Sequence, residues 1–159
     1  FIGPCSAKKL EASRRSIRSD VDFVLTFEEL SAIFEARGID PAAMEDGDDM
    51  NDATGAGRGY AVAGGVAGAI EKCIRAYYPD TPLQIEHAEG LDDCRKMLLL
   101  AKAGKKNGCL IEGMACPGGC VAGAGTNIPI GKAAALVKKK VETSAEAIPP
   151  KQLSDVKLN

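Results

Sequence analysis

The stretch MACPGGC at residues 114–120 limits what this chain can fold into more than any other feature of the sequence. Its two cysteines are four residues apart, so they can meet on one side of a helical turn. Pro117 suits the first position of a helix, which makes Cys116 the expected N-cap. The glycines between the thiols let a bulky ligand approach the backbone, and a helix N-terminus favours thiolates. The stretch predicts an iron–sulfur site, with a close helix contact between small residues as the alternative.

A further cysteine lies near the start of the chain, in the stretch PCSAKKLE at residues 4–11. Lys8 follows Cys5 by three residues, which brings a cation close to the thiol and favours its thiolate form. Lys8 and Glu11 are also three residues apart and can pair on one helical face. The alternative is a buried cysteine beside a solvated Lys–Glu pair.

Six cysteines and a single histidine, His87, narrow the chemistry further. One histidine leaves little room for Ser-His, Cys-His or histidine-rich zinc sites. The three thiols of the two stretches are one short of the four that usually hold an iron–sulfur cluster. The fourth would come from a partner chain, from residues upstream, or from the remaining cysteines, which otherwise look like core residues. These are Cys73, Cys94 and Cys109.

Charge and hydropathy exclude some classes of partner. A net charge of −2 gives no reason to expect nucleic acid or an anionic membrane. No signal peptide or bilayer-spanning apolar run stands out, so we expect a cytoplasmic protein with reduced thiols.

Strand-like and helix-like segments alternate along the chain. The strand candidates are residues 1–2, 21–25, 83–87 and 109–111, and the main helix candidates are 27–37, 64–77, 91–103 and 131–142. Thr26 and Glu29 match a capping box, and Gly38 marks the end of that helix. This alternation predicts an α/β fold, a small parallel sheet of about four strands with helices on both faces.

The ligand site of a parallel sheet lies at the carboxyl ends of its strands. Cys5 follows the first predicted strand and Cys116 follows the fourth, so both lie where that rule expects a site. The glycine-rich residues 54–65 look like a phosphate-binding loop but match no full nucleotide fingerprint, so we expect them to serve close packing near the site. We divide the chain into a lobe, 1–142, and a loosely held polar tail, 143–159.

Both cysteine stretches resemble signatures of a known family. GPCSAKKLE (3–11) resembles the second signature of the catalytic domain of iron-only ([FeFe]) hydrogenases, and GMACPGGC (113–120) resembles the third. DVDFVLTFEEL (20–30) and TGAGRGYAVAGGV (54–66) are also similar to that family. The resemblance implies one lobe of the hydrogenase catalytic domain. The family reaction is the reversible formation of dihydrogen from two protons and two electrons.

The resemblance also implies a cofactor, the H-cluster. In the family, four cysteines bind a [4Fe-4S] cubane, and one of them bridges to a diiron unit that carries CO, cyanide and a dithiolate. By this resemblance Cys5, Cys116 and Cys120 are cubane ligands, and Cys120 is the bridging thiolate.

The remaining site residues follow from the same resemblance. Lys8 would hydrogen-bond a cyanide ligand, and Glu11 would orient Lys8. Met114 would pack against the diiron unit, and Pro4 would line the cofactor site. These four residues and Cys120 are the candidate catalytic and cofactor-binding groups besides the two other cubane thiolates.

The chain departs from the family pattern in three places. The first signature, which carries the remaining cubane ligand and the proton-delivering cysteine, has no counterpart and would lie upstream of Phe1. Gly3 stands where the best-studied members have Met. The segment after Cys120 reads VAGAGT, where those members have a glycine-rich run that ends in Gln.

These observations predict the H-cluster-binding lobe of an iron-only hydrogenase, inactive as an isolated chain. Its partners would be the missing upstream lobe of the same protein and a ferredoxin-type electron carrier. The face left open without that lobe could instead support a homodimer. The alternative function is a sensory or regulatory iron–sulfur protein of the same family without significant hydrogen turnover. A third is a module in which the three thiolates bind zinc.

Overall fold

Two parallel strands form the sheet in the part of the chain that this computed structural model describes, residues 1–16, 18, 20–45, 47 and 53–152. Strand β1 spans Gln84–Glu89 and strand β2 spans Cys109–Met114. They pair in register from Gln84 opposite Cys109 to Glu89 opposite Met114, so their carboxyl ends lie side by side. The helices are α1 Ala7–Ala12, α2 Phe27–Ala36, α3 Gly55–Arg58, α4 Gly65–Tyr77, α5 Leu91–Lys102 and α6 Ile130–Glu142. Short 3₁₀ turns span Pro41–Ala43, Gly59–Ala61 and Cys120–Ala122.

Helices cover both faces of this sheet, as the sequence predicts. The Glu112 carboxylate of β2 accepts hydrogen bonds from the first amides of α4. The neighbouring residue Gly113 faces α5, because a Cβ there would lie 3.2 Å from Cys94 Sγ. Successive residues of a strand point to opposite faces, so α4 and α5 lie on opposite sides.

The other two predicted strands meet only briefly. Ile2 and Leu25 form a single parallel bridge, in which Gly3 N donates to Leu25 O at 3.0 Å and Leu25 N donates to Phe1 O at 2.9 Å. Residues 1–2 and 21–25 therefore do not pair as extended strands. The Phe23 side chain is 78% exposed, so residues 21–25 are not a buried strand. The α/β class with a small parallel sheet is confirmed, with two strands and one bridge among the described residues.

Local capping chemistry sets the ends of α2. Thr26 Oγ1 accepts from Glu29 N at 3.2 Å, and Glu29 Oε2 accepts from Thr26 N at 2.9 Å, which completes the predicted capping box. The helix ends before Gly38, which adopts φ +65°.

The core is built from small side chains. The buried apolar residues are Ala56, Ala67, Ala69, Ala88, Val121 and Ala133. Large apolar side chains stay open, including Phe23, Leu10 at 69% and Leu91 at 73% exposure. Backbone approaches backbone instead, since a Cβ on Gly65 would collide with the Gly59 carbonyl. Much apolar surface of this lobe is therefore left for other contacts.

The start of the predicted tail contacts the helices. Gly55 N donates to Glu146 O at 2.7 Å, Ala56 N to Ala147 O at 2.9 Å, and Tyr77 Oη to Pro149 O at 2.6 Å. The rest of that tail, 153–159, lies outside the described residues, as do 46 and 48–52 of the acidic loop. The division at residue 142 stays a prediction. Within the described ranges, no helix combines the length and apolar character that crossing a bilayer requires.

Candidate functional site

The loop after β2, residues 114–120, is fixed at the carboxyl end of the sheet by its neighbours. Gly90 N donates to Met114 O at 2.8 Å, which ties the end of β2 to the residue after β1. Within the loop, Gly118 N donates to a Glu89 carboxylate oxygen at 2.6 Å, and Gly118 O accepts from Ala63 N at 3.1 Å. Gly118, midway between the two cysteines, is thus held through both of its peptide groups, 117–118 and 118–119.

The predicted helix at this motif is wrong, and Cys116 is not an N-cap. Gly118 and Gly119 adopt φ +93° and +91°, a conformation that no α-helix contains. A side chain on Gly119 would collide with the Ala63 amide, so the close approach of residues 61–63 requires glycine there. Only after this turn does a 3₁₀ turn begin, at Cys120. The glycines therefore shape a loop between the thiols.

The Cys5 segment lies beside the residues that follow Cys120. Gly125 N donates to Pro4 O at 2.9 Å, and a Cβ on Gly123 would collide with the same carbonyl. Gly123 N in turn donates to Cys120 O at 2.9 Å. Both predicted motifs thus meet at one place, although Ile2 and Leu25 form only a bridge outside the β1–β2 sheet.

Lys8 lies on α1, which begins just after Cys5. It pairs with Glu11 as predicted, with about two fifths of each side chain exposed. The hydrogen bond from Glu11 raises the pKa of Lys8, burial opposes that effect, and the charges of Glu11, Cys5 and Cys120 raise it further. Lys8 is therefore held as a cation near two of the three candidate thiolates.

The six cysteines are free thiols, with Cys5 and Cys116 half-buried and Cys120 exposed. Among the described residues, no three side chains of His, Cys, Asp or Glu are grouped to hold one metal ion. A zinc site would need its ligands at about 2.0–2.3 Å from a single ion. An iron–sulfur cluster spreads its thiolates over several iron atoms and asks for less convergence.

Three soft thiolates, a glycine turn without side chains between two of them, and a nearby cation suit an anionic iron–sulfur group. The set is one thiolate short of four. The roles of Pro4 and Met114 at this site, like those of the ligands, stay predictions.

The remaining cysteines lie outside the 114–120 loop and outside the Cys5 segment. Cys109 begins β2, at the opposite end of the strand from the loop, and its thiol lies 3.5 Å from Gln84 Oε1. Cys73 lies on α4. Cys94 Sγ lies 3.6 Å from Ala88 O and 3.7 Å from Met114 O, on the α5 side of the sheet.

Glu112, which the sequence analysis missed, fixes the glycine-rich segment. Its buried carboxylate accepts from Gly64 N at 2.5 Å, Val66 N at 2.9 Å and Ala67 N at 3.0 Å, with His87 Nδ1 at 3.2 Å. Burial raises the pKa of Glu112, but these hydrogen bonds outweigh it and the net pKa is lowered. The α4 amides already serve a carboxylate, so this loop binds the sheet rather than a phosphate.

A charged residue within an otherwise apolar strand could have revealed Glu112, but the predicted strand stopped at Ile111. His87 is 48% exposed and contacts Glu112. Lys9 was also missed. Its ammonium donates to Val24 O at 3.0 Å and to the Glu29 carboxylate at 2.8–2.9 Å, which ties α1 to the start of α2.

Comparison with known proteins identifies the family to which this chain is similar. Residues 1–124 match the family described as iron only hydrogenase large subunit, C-terminal domain. The periplasmic [Fe] hydrogenase large subunit of Nitratidesulfovibrio vulgaris is 32% identical over 160 residues, which covers 78% of this chain and 37% of the relative. The NADP-reducing hydrogenase subunit HndD of Solidesulfovibrio fructosivorans is also 32% identical, with 78% and 27% covered. The chain thus spans about a third of these relatives.

Solved structures show the same fold. A single-site variant of the [FeFe]-hydrogenase HydA1 from Chlamydomonas reinhardtii superposes with a TM-score of 0.63 at 20% identity, covering 95% of this chain and 54% of that one. HydA(ΔEFG), whose structure revealed stepwise [FeFe]-hydrogenase H-cluster assembly, gives 0.58 at 24% identity, covering 96% and 54%. The family match, the relatives and this fold agree with the two cysteine signatures. The chain belongs to the family of iron-only hydrogenase large subunits, of which it is a C-terminal domain.

Proposed function

We propose that this chain is the H-cluster-binding lobe of an iron-only hydrogenase that interconverts dihydrogen with two protons and two electrons. The observation that carries the proposal is the meeting of the two cysteine segments through the Gly125–Pro4 hydrogen bond. The raised pKa of Lys8, to which Glu11 contributes most and Cys5 and Cys120 less, supports it. Family membership supports it independently.

In this proposal each site residue has a separate task. Cys5, Cys116 and Cys120 hold the cubane, and Cys120 also bridges to a diiron unit with CO, cyanide and dithiolate ligands. The H-cluster supplies the hydrogen chemistry when it is bound. We take the fourth cubane ligand to come from the upstream lobe of the same protein, because Cys109 lies at the far end of β2 and Cys94 contacts backbone carbonyls on the α5 side of the sheet.

The remaining groups orient and enclose the cofactor. Lys8 donates to a cyanide ligand, and Glu11 keeps it in place and protonated, as the raised pKa of Lys8 indicates. Met114 and Pro4 provide apolar contact and keep water from the metal site. The electron donor is a carrier of the ferredoxin type, and the compartment is the cytoplasm, which suits free thiols.

Metal analysis tests the ligand assignment. The intact protein, purified anaerobically and reconstituted, should hold iron and sulfide near a cubane stoichiometry. Cys116→Ser or Cys120→Ser should abolish this, whereas Cys109→Ser, at the far end of β2, should not. Iron that persists in both loop variants, or zinc in place of iron, would overturn the proposal.

Activity separates the enzyme from a sensor. The intact, maturated protein should evolve hydrogen, while the 159-residue chain alone should not, because it lacks a ligand and the proton path. A full H-cluster without turnover in the intact protein would favour the sensory role. Robust hydrogen evolution from the isolated chain would refute the missing-ligand argument.

A further inference from the structure

Resting on the proposed function, we infer that Glu89 is a positioning residue of the Cys116–Cys120 loop, and that its negative charge lowers the reduction potential of the cluster bound there. No cysteine signature includes Glu89, and the inference depends on where β1 ends.

Glu89 fixes Gly118, the residue midway between Cys116 and Cys120. Its carboxylate accepts from Gly118 N at 2.6 Å, while Ala63 N donates to Gly118 O at 3.1 Å. Gly118 adopts φ +93°, so the peptide orientation is one that the backbone reaches readily only at glycine. Two contacts from separate segments therefore define the spacing between Cys116 and Cys120.

The carboxylate is carried by a rigid element. Glu89 is the last residue of β1 and is directly opposite Met114, the last residue of β2. The next residue, Gly90, donates to Met114 O at 2.8 Å, and a Cβ on Gly90 would lie 3.8 Å from the Pro117 ring. The carboxyl ends of both strands thus hold the loop, and the Glu89 side chain extends this support to Gly118.

The same contact affects a bound cluster in two ways. Reduction potentials of iron–sulfur clusters depend on hydrogen bonds to the sulfurs, on nearby charge and on solvent exposure. Glu89 engages an amide that could otherwise donate to a cluster sulfur, and it adds a negative charge beside the loop. Both effects disfavour the more negative form that one-electron reduction produces. Because Glu89 is exposed, salt should weaken its charge effect.

Two substitutions separate the charge from the hydrogen bond. Glu89→Gln keeps an acceptor but removes the charge, and Glu89→Ala removes both. Asp92→Asn makes the same charge change at an exposed position on the first turn of α5 and is the control. The readouts are the midpoint potential of the cluster in the intact protein, from a spectroscopic redox titration, and the Gly118 amide proton, from NMR of the metal-free protein.

We expect Glu89→Gln to raise the ratio of reduced to oxidised cluster at a fixed potential by roughly three- to tenfold, tenfold being about 59 mV. Glu89→Ala should also move the Gly118 amide upfield and speed its exchange, while Asp92→Asn should change neither. Equal potentials in Glu89→Gln and the parent would overturn the charge effect. An unchanged Gly118 amide in Glu89→Ala would overturn the positioning role. If the parent binds no cluster, the proposed function fails, and the amide measurement still decides the positioning role.

Discussion

The two segments that carry the candidate ligands are held by different kinds of interaction. The Cys116–Cys120 loop is fixed by backbone packing that only glycine permits, by Glu89 and by the 61–63 segment. The Cys5 segment is held by two backbone hydrogen bonds, Gly3 N to Leu25 O and Gly125 N to Pro4 O, and then enters α1, a six-residue helix without buried residues. An exposed ion pair, Lys9–Glu29, holds that helix.

This difference indicates which half of the site adopts its binding conformation without a cofactor. Packed backbone with fixed hydrogen bonds keeps its shape without a ligand, whereas an exposed ion pair is weak and sensitive to salt. We therefore expect the Cys116–Cys120 loop to be preorganised and the Cys5 segment to adjust on binding. Three substitutions, given in order of decreasing expected effect, test this difference between the two segments.

Gly119→Ala should have the largest effect. It combines φ +91° with a collision at Ala63, whereas Gly38→Ala meets only the positive φ, +65°, in open space. Strain at a left-handed position costs about 1–2 kcal/mol, and forced overpacking adds about 1–3 kcal/mol. Urea unfolding should show a loss of about 2–5 kcal/mol for Gly119→Ala and about 1–2 kcal/mol for Gly38→Ala. Equal losses would mean that the loop is not fixed by packing.

Glu112→Ala should rank second, because it removes the acceptor of the Gly64, Val66 and Ala67 amides at the start of α4, next to the loop. Only the Ala67 amide is fully buried, and leaving that one donor unsatisfied costs about 1–3 kcal/mol, whereas the partly buried Gly64 and Val66 amides can bind water. Glu86→Gln is the control, since its partner Lys106 forms a more exposed pair worth about 0–1 kcal/mol.

The pH profile sharpens the same test. The folded pKa of Glu112 is lowered from its ordinary value near 4.5. Its stabilisation is therefore complete above pH 4.5 and is lost as pH falls through the lower folded pKa. The parent should lose stability in that acid window, and Glu112→Gln should lose less. Parallel acid profiles for the two proteins would contradict this role of Glu112.

Features set by local chemistry were predictable from the sequence. The capping box at Thr26 and Glu29, with Gly38 beyond, needs only neighbouring residues, and α2 forms as expected. The helices predicted at 91–103 and 131–142 also form, at Leu91–Lys102 and Ile130–Glu142, because their apolar periodicity is long enough to define them.

Features set by distant contacts were not predictable in this way. A proline after Cys116 indicates a helix start, but Glu89 and Ala63, from elsewhere in the chain, hold Gly118 in a non-helical turn. The strand-end rule predicted that Cys5 and Cys116 lie at one edge of a sheet, but the Cys5 segment lies outside the β1–β2 sheet and meets the residues after Cys120 through a backbone hydrogen bond. Glu112 and Lys9 act on residues 45 or more and 15 or more positions away, beyond the reach of any local pattern.

Lys9→Met should have the smallest effect, confined to the Cys5 side. Hydrogen bonds from Lys9 lower the pKa of Glu29, aided by the Thr26 amide, so the pair persists at neutral pH. The substitution should speed hydrogen exchange in residues 7–12 by roughly fivefold at most, because exposed pairs are weak. High salt should have the same effect on the parent, and residues 114–120 should not respond. Lys96→Met, which breaks a pair within α5, is the control. Faster exchange in 114–120 would show that the two halves of the site are coupled, and the contrast between them would fail.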